Sequence, residues 1–344
     1  MNEHFWLGMA VIFISGMANG GFALPMKRSR SWRWENTWLV YSIVAIFVLP
    51  WVLAVSFVPN LAGVYRDMAP RTLSYPLVFG LLWGIAQVTF GLSIDAVGMA
   101  VAIAVVSGLA CLSGSLIPLL VLSPENLFRP RGVLLLVSLP ILLGGLIYYG
   151  MAGRRRESER PKPQEPSGSD SNPHKSFMYG LAICIFTGIF ASNFNLGLAF
   201  SGSIIDKARQ SGASPITAGY AVWALVFGAG FIPNLLYCSF LLFRRHTWGL
   251  FSRGTVKETM LSITMAVLWL VGISGYGMGA TLVGKYGTSI GFTLFMASSI
   301  LSSNILGLLA GEWNQTSPTT RRHLIFGVAL ILLSVAVLNL GGLF

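Results

Sequence analysis

Large amide side chains occur inside long apolar stretches of this sequence. Asn19, Gln87 and Asn193 each lie well within such a stretch, and Asn195 and Asn304 occupy comparable positions. An amide buried in hydrocarbon is costly unless it is hydrogen-bonded. Two interpretations are therefore open: the amides join neighbouring helices, or they line a watered cavity that binds a polar ligand.

Three tryptophans, Trp83, Trp223 and Trp269, also lie deep in apolar stretches, although tryptophan usually concentrates at membrane interfaces. A deep indole needs a partner for its N–H group, and its flat face can stack on the C–H face of a sugar ring. Amides, hydroxyls and indoles without a fixed charge favour a neutral polyhydroxylated ligand, because an anion would call for Arg or Lys. Half-helix dipoles would still allow a small zwitterion. We predict a substrate site formed by Asn19, Trp83, Gln87, Asn193, Asn195, Trp223, Trp269 and Asn304.

Proton coupling usually requires a titratable group that water and substrate both reach. The nearest carboxylates lie at the ends of the apolar stretches, at Glu35, Asp95 and Glu312. Glu35 and Glu312 have basic or aromatic neighbours, which favours solvated pairing or helix capping. Asp95 lies in a very short connection, so it either caps the following helix or carries the proton. All three are proton-coupling candidates.

The composition indicates a membrane protein, because 54% of residues are hydrophobic and only 10% are charged, whereas soluble domains carry about 25% charged residues. Apolar runs this long must satisfy their backbone internally, so they predict helices. Every Asp, Glu, Lys and Arg lies between these runs or at their ends. We predict an all-α integral membrane protein with ten transmembrane helices, at about 5–25, 36–58, 76–94, 97–122, 132–152, 176–200, 217–243, 259–283, 288–310 and 324–343.

Loop charges predict the orientation of the chain. The formal net charge is +11, and most of the 23 Lys and Arg residues fall in alternate loops. The positive-inside rule places those loops in the cytoplasm and both termini outside, so the charge does not indicate nucleic-acid binding. Residues 153–175, which are polar and rich in Pro and Ser, predict a flexible cytoplasmic linker. The three cysteines form no metal-binding or disulfide pattern, and we expect no metal and no cofactor.

The linker divides the ten spans into an N-terminal half, 1–152, and a C-terminal half, 176–344. Five spans in each half imply two inverted repeats. Weak sequence matches support this: the segment 8–16 aligns with 180–188, and Leu82-Trp83 aligns with Leu268-Trp269. Inverted repeats recur in secondary transporters, where two near-equivalent halves alternate around a central site. Glycines at four-residue spacing, as at Gly80 and Gly84, predict close helix packing.

The run Trp32-Arg-Trp-Glu35-Asn-Thr-Trp38, together with Leu49-Pro50-Trp51 and Gly311-Glu312-Trp313-Asn314, resembles the L-rhamnose–proton symporter family. That family belongs to the drug/metabolite transporter superfamily, and the resemblance covers nearly the whole chain. It implies uptake of a 6-deoxyhexose across the inner membrane, driven by the proton gradient. It also implies a central cavity lined mainly by spans one, three, four, six, eight and nine.

We therefore predict a secondary active transporter of L-rhamnose or a related neutral monosaccharide that works by alternating access. Its partners would be the sugar, protons and membrane lipid. The alternative on the same fold is an exporter or facilitator of amino acids or drug-like metabolites. A membrane-embedded enzyme is disfavoured, because the spans contain no paired acids, His or metal ligands.

Overall fold

The computed structural model describes residues 5–122, 128–159, 173–283 and 290–340. These residues form helices joined by turns, and no strand occurs among them. The first half of the described chain contains seven α-helices: α1 (Phe5–Gly21), α2 (Trp34–Ser42), α3 (Leu49–Phe57), α4 (Leu61–Arg66), α5 (Pro70–Val97), α6 (Met99–Leu122) and α7 (Pro130–Glu159). A 3₁₀ turn, Leu24–Arg28, follows α1.

The second half also contains seven α-helices. They are α8 (Pro173–Ala191), α9 (Asn193–Ala199), α10 (Gly202–Gln210), α11 (Tyr220–Arg244), α12 (Thr255–Val283), α13 (Ile290–Leu309) and α14 (Pro318–Leu340). A 3₁₀ turn, Trp248–Ser252, connects α11 to α12.

Eight helical segments within the described residues are long and apolar enough to cross a membrane. They correspond to the predicted spans one, two, three, five, six, seven, eight and ten. The predicted spans four and nine coincide with α6 and α13, whose described apolar parts, Val101–Ala110 and Leu294–Leu309, are shorter. The protein is therefore an all-helical, multi-pass membrane protein.

Two spans depart from a regular α-helix. Between α2 and α3 the chain continues through a π-helical turn, Ile43–Val48, immediately before Pro50. Proline lacks an N–H group and its ring clashes with the carbonyl four residues earlier, so the wider π turn accommodates it. The predicted sixth span is interrupted at Ser192, which separates α8 from α9.

The predicted linker at 153–175 is partly helical. Residues 153–159 complete α7, and residues 173–175 begin α8. Residues 160–172 lie outside the described part of the chain. Arg156, near the end of α7, is buried and donates from Nη2 to the Val97 carbonyl at 3.0 Å, which explains why the helix extends beyond its apolar stretch.

The helices form pairs that bring the two halves together. Helix α1 packs against α12 and α13, α8 packs against α5 and α6, and α7 packs against α14. Helix α11 packs against α5 and against the helix formed by α2 and α3. Each of these pairs joins a helix of the first half to a helix of the second half, so the two halves share an extensive interface.

Glycines allow the closest of these approaches. A Cβ placed on Gly84 would lie 2.3 Å from the Gly230 carbonyl oxygen, and one on Gly80 would lie 2.3 Å from the Val226 carbonyl oxygen. Both contacts join α5 to α11, and larger residues would force these helices apart. The prediction that these glycines serve helix packing is therefore confirmed.

Candidate functional site

Five aromatic rings from four helices meet in the interior of the bundle. We call this set the aromatic cluster: Trp83 on α5, Phe194 on α9, Trp223 and Phe227 on α11, and Trp269 on α12. Trp223 stacks on Phe194, with ring centroids 4.1 Å apart. Phe227 lies 5.1 Å from Trp83 and 5.2 Å from Trp269. The three deep tryptophans predicted from the sequence thus lie in one cluster.

The helices place these rings for identifiable reasons. Trp223 and Phe227 are four residues apart on α11, so they lie on the same helix face, and their ring planes differ by only 12°. Phe194 is close to them because the helix breaks at Ser192 and α9 begins at the next residue. The Trp83 ring on α5 approaches the α11 backbone closely because it packs on Gly230, which has no side chain.

An open pocket lies beside the aromatic cluster. Trp223 and Phe227 form part of its wall, and Ser274 contributes a hydroxyl. Trp223 is half-buried, whereas Trp83, Phe227 and Trp269 are buried. The remaining lining residues are Pro50, Leu53, Ile216, Gly219, Tyr220, Leu270, Ile273, Gly277 and Met278.

The predicted amide residues are not among the residues that line this pocket. Asn19 on α1 donates from Nδ2 to the Ser299 hydroxyl on α13 at 3.2 Å. Its Cβ would lie 2.8 Å from a Cβ built on Gly272, one turn after Trp269 on α12. Asn19 is therefore near the aromatic cluster but on its α1–α13 side, and it is half-buried.

Gln87 is buried one turn after Trp83 on α5. Its side chain faces the Tyr41 hydroxyl, a buried group that makes no hydrogen bond within the described residues. A buried hydroxyl without a partner is costly, so the Tyr41 hydroxyl and the facing Gln87 amide mark a polar patch between α2 and α5.

The other three predicted amides differ in their surroundings. Asn193 donates from Nδ2 to the Phe190 carbonyl at 2.8 Å, within its own chain segment. Asn304 accepts a hydrogen bond from the Tyr149 hydroxyl at 2.6 Å and donates to the Ile300 carbonyl at 2.8 Å. Both ends of the Asn304 amide are therefore engaged, and the bond with Tyr149 joins α13 to α7. Asn195 lies on α9, and its side chain is outside the described part of the structure.

Sequence reasoning missed three residues of this region. Phe194 and Phe227 complete the aromatic cluster, but phenylalanine in an apolar stretch gives no distinguishing signal. Asn234 was detectable as a further deep amide. It is buried on α11, accepts from Trp38 Nε1 at 3.1 Å and donates to the Gly84 and Gly230 carbonyls. Asn234 therefore fixes three helices around the α5–α11 contact.

Three carboxylates, two of them buried and the third nearly so, join the two halves at one end of the molecule. We call them the carboxylate clasp: Glu35, Glu258 and Glu312. We call this end, which carries the α1–α2, α11–α12 and α13–α14 connections, the basic end. Glu35 accepts from Arg245 Nη1 at 3.0 Å and from the Thr247 hydroxyl at 2.9 Å. Glu35 was expected in solvent, but it is fully buried, because its two partners from the other half cover it.

Asp95 was predicted to cap the fourth span or to carry the proton, but another carboxylate, Glu312, lies at the start of that span. Glu312 accepts from the backbone N–H of Met99, the first residue of α6, at 3.0 Å and pairs with Lys27. The cap of the fourth span is therefore Glu312, not Asp95. Asp95 is exposed on the last turn of α5, within electrostatic range of Arg245 and Glu35. The turn at Gly98, with φ of 90°, directs the start of α6 towards Glu312.

Glu258 was not among the candidates, although an acidic residue in the first turn of a span is a helix N-terminal signal. It is buried and accepts from the backbone N–H groups of Arg30 at 3.1 Å and Ser31 at 3.0 Å. A neighbouring bond, from Trp32 Nε1 to the Arg253 carbonyl at 3.1 Å, holds the same connection. The α1–α2 connection is thus fastened to α12 by a carboxylate.

Fewer polar contacts among the described residues join the halves at the opposite end. Lys207 pairs with Asp67 at 2.9 Å, but both side chains are substantially exposed. This contact holds the pKa of Asp67 below its usual range. The Tyr65 hydroxyl donates to the Ala221 carbonyl at 2.7 Å. Exposed ion pairs contribute little to stability, so the structure is fastened mainly at the basic end.

Apolar spanning helices, an uncharged aromatic site between them and a charged clasp at one end are features of membrane carriers for small molecules. Comparison with known proteins agrees. The family model described as L-rhamnose-proton symport protein matches residues 1–343. The chain belongs to this family and is a transporter, not an enzyme.

Several named relatives match over nearly the full length. Proteins named L-rhamnose-proton symporter from Mannheimia succiniciproducens and from Klebsiella pneumoniae subsp. pneumoniae are 25% and 23% identical to this chain, over 99% of each sequence. The protein of the same name from Escherichia coli O1:K1 / APEC is 23% identical, also over 99% of each sequence.

Proposed function

We propose that this protein takes up L-rhamnose, or a related neutral monosaccharide, together with a proton. The proposal rests on one observation: Trp223 presents a half-buried indole to an open, uncharged pocket. The names of the full-length relatives support the choice of sugar and of proton as the coupled ion. We further propose that the chain belongs to the drug/metabolite transporter superfamily.

In this proposal the sugar ring stacks on the Trp223 face opposite Phe194. Phe194 covers one face of the indole at 4.1 Å, and the indole also forms part of the pocket wall. The methyl group of a 6-deoxyhexose would contact apolar wall residues such as Leu53 and Ile273. The Ser274 hydroxyl is a hydrogen-bonding group on the same wall. A neutral ligand suits this wall, because no charged residue lines the pocket.

The predicted amides Asn19, Gln87 and Asn193 remain part of the proposed site, as groups that reach the sugar during the transport cycle. Asn19 lies one turn from Trp269 along the α1–α12 contact, and Gln87 lies one turn from Trp83. Small movements of α1 and α5 would bring both amides towards the pocket. Asn304 is better suited to joining α13 and α7, since Tyr149 and Ile300 engage its amide.

We propose ten spans arranged as two inverted five-helix repeats, 1–152 and 176–344. The helix pairs support this arrangement. If α1, α5, α6 and α7 exchange with α8, α12, α13 and α14, the α1–α12 pair becomes α8–α5, and the α1–α13 pair becomes α8–α6. The α7–α14 and α6–α13 pairs map onto themselves. All of these pairs are in contact.

We also propose an inner-membrane location with both termini outside, which places the basic end and the 153–175 linker in the cytoplasm. The structure then corresponds to a state closed towards the cytoplasm by the carboxylate clasp. The pocket lies towards the other end, since Ile216 and Gly219 precede α11 and Arg244 ends it at the basic end. Transport would require the clasp to open as the pocket closes.

Proton release is proposed at Asp95. Glu35 and Asp95 both lie near Arg245, so two carboxylates share one guanidinium. A change of charge at Asp95 would therefore act on the Glu35–Arg245 ion pair, which joins the two halves. Asp95 is the exposed carboxylate, so water reaches it directly, whereas Glu35 is buried. Glu312 is a weaker candidate, since it already pairs with Lys27 and caps α6.

Uptake by the purified protein in liposomes tests the function. We expect labelled L-rhamnose to accumulate only when an inward proton gradient is imposed, and unlabelled L-rhamnose to compete. A panel of other neutral monosaccharides and of amino acids completes the experiment. Competition by amino acids but not by sugars would contradict the proposal in favour of an amino-acid exporter. Sugar equilibration that ignores the gradient would make the protein a facilitator.

Asp95→Asn tests the coupling site separately. We expect this variant to exchange L-rhamnose between the two sides of the membrane but not to accumulate it against a gradient, because the releasable proton is lost. Asp206→Asn, an exposed acid on α10, is the matched control and should accumulate sugar normally. Gradient-driven accumulation by Asp95→Asn at the wild-type level would move the coupling site to another carboxylate.

A further inference from the structure

A groove between α7 and α14 opens towards the membrane near the basic end. It is a shallow, open groove lined by Tyr148, Arg322, His323, Ile325, Phe326 and Ala329. Its apolar residues are exposed on the protein, with Ile325 at 66% and Phe326 at 49%. On a membrane-spanning helix pair, such a face lies against lipid.

Positive charge is concentrated where the groove reaches the basic end. Arg322 lines the groove, and its neighbour Arg321 is also exposed. Arg155 is exposed two helical turns beyond Tyr148 on the same face of α7, about 10 Å along the helix axis. Three guanidinium groups therefore lie near the level at which α14 enters the membrane.

Glu159 lies within electrostatic range of Arg155, but its oxygens are mainly engaged by the start of α14. Glu159 accepts from the Ser317 backbone N–H and hydroxyl, each at 2.7 Å, and from the Thr320 hydroxyl at 2.8 Å. These hydrogen bonds, led by Ser317, hold the pKa of Glu159 below its usual range. Its oxygens are thus committed to the first turn of α14, while Arg322 remains directed to the groove.

The aromatic wall of the groove is ordered by its own contacts. Tyr148 packs edge-on against Phe326, with ring centroids 4.6 Å apart, and lies 5.8 Å from the His323 ring. His323 Nδ1 lies 2.7 Å from the Thr319 carbonyl. Because a carbonyl only accepts, a hydrogen bond at this distance requires the proton to be on Nδ1.

We propose that this groove binds one anionic phospholipid. Arg321 and Arg322 would hold its phosphate, and one acyl chain would lie along Ile325, Phe326 and Ala329. Guanidinium groups match phosphate geometry, and basic pockets between transmembrane helices are suited to anionic headgroups. Since α7 and α14 form one interhalf pair, the lipid would bridge the two halves outside the transport site.

Thermal unfolding of the full-length protein in detergent tests the site, because a ligand that binds the folded state raises the apparent stability. The probes are dioleoyl phosphatidylglycerol, dioleoyl phosphatidylcholine and inorganic phosphate. We expect stabilisation by phosphatidylglycerol alone. The double substitution Arg321→Ala/Arg322→Ala should weaken its apparent affinity at least tenfold while leaving the lipid-free unfolding temperature close to that of the wild type.

The matched control is Arg244→Ala. Arg244 also lies at the basic end, and its guanidinium is 5.8 Å from the exposed Phe240 ring, so it offers similar chemistry outside the groove. Equal weakening by Arg244→Ala would show general attraction to anionic lipid and would overturn the proposal. Equal stabilisation by phosphatidylcholine, or stabilisation by free phosphate, would overturn it as well. A Phe326→Ala variant tests the acyl-chain contact and should also bind phosphatidylglycerol more weakly.

Discussion

Trp223→Ala is expected to lower the kcat/KM of sugar uptake by roughly 30-fold, the equivalent of about 2 kcal/mol for loss of a central aromatic anchor. Trp223 is the member of the aromatic cluster that is both half-buried and part of the pocket wall. Its removal takes away the proposed platform for the sugar ring. Radiolabelled uptake in liposomes, with the amount of inserted protein measured for each variant, gives the comparison.

Two further variants separate binding from general damage. Trp223→Phe keeps an aromatic face stacked on Phe194 and should retain most of the uptake. Trp248→Ala removes an exposed indole at the basic end, where it contacts Phe243 and Phe251, and should leave uptake unchanged. The proposed platform would be wrong if Trp223→Ala transported L-rhamnose with unchanged KM and kcat.

The sequence predicted the helices well because bilayer thickness imposes their length. A span such as 217–243 needs about 20 apolar residues, and the corresponding α11 runs from Tyr220 to Arg244. The exceptions have local causes that hydropathy does not detect. Ser192 interrupts an otherwise apolar span, and the buried Arg156 extends α7 into a region that composition marks as a linker.

The site was only partly predictable, for a different reason. Trp83, Trp223 and Trp269 could be singled out because tryptophan is unusual at membrane depth, and they do lie together. The amides gave the same kind of signal but serve different roles, since Asn304 bonds to Tyr149 whereas Gln87 faces Tyr41. Which neighbour an amide meets depends on helix rotation, and these spans are apolar on most of their faces, so periodicity does not fix it.

The carboxylate clasp could not be predicted from the sequence for a related reason. Glu35, Glu258 and Glu312 all lie at helix ends, where a carboxylate normally faces water. Their burial depends on contacts between residues more than 200 positions apart, such as Glu35 with Arg245. A single sequence does not reveal such pairings. The structure changes the interpretation of these acids from solvated end groups to contacts between the halves.

Glu258→Gln is expected to open the basic end. Hydrogen bonds to a charged group contribute about 1.5–3 kcal/mol each, and Glu258 accepts two of them from the Arg30 and Ser31 backbone. Both N–H groups donate to Oε1, so the glutamine oxygen still accepts them, but a neutral amide oxygen is a weaker acceptor than a carboxylate. A loss of about 1.5 kcal/mol would increase the population open at this end by roughly tenfold.

Cysteine accessibility measures the population of molecules that is open at the basic end. In a background without the native cysteines, Ser31→Cys reports on the basic end and Ile216→Cys on the pocket end, each labelled with a membrane-impermeant maleimide from its own side. Glu258→Gln should raise labelling at position 31 and lower it at position 216, because the two openings exclude each other in alternating access. Increased labelling at both positions would indicate loosening of the fold and would contradict a gate. Unchanged labelling at both would show that Glu258 only supports the local structure of the α1–α2 connection, leaving Glu35 and Glu312 to hold that end closed.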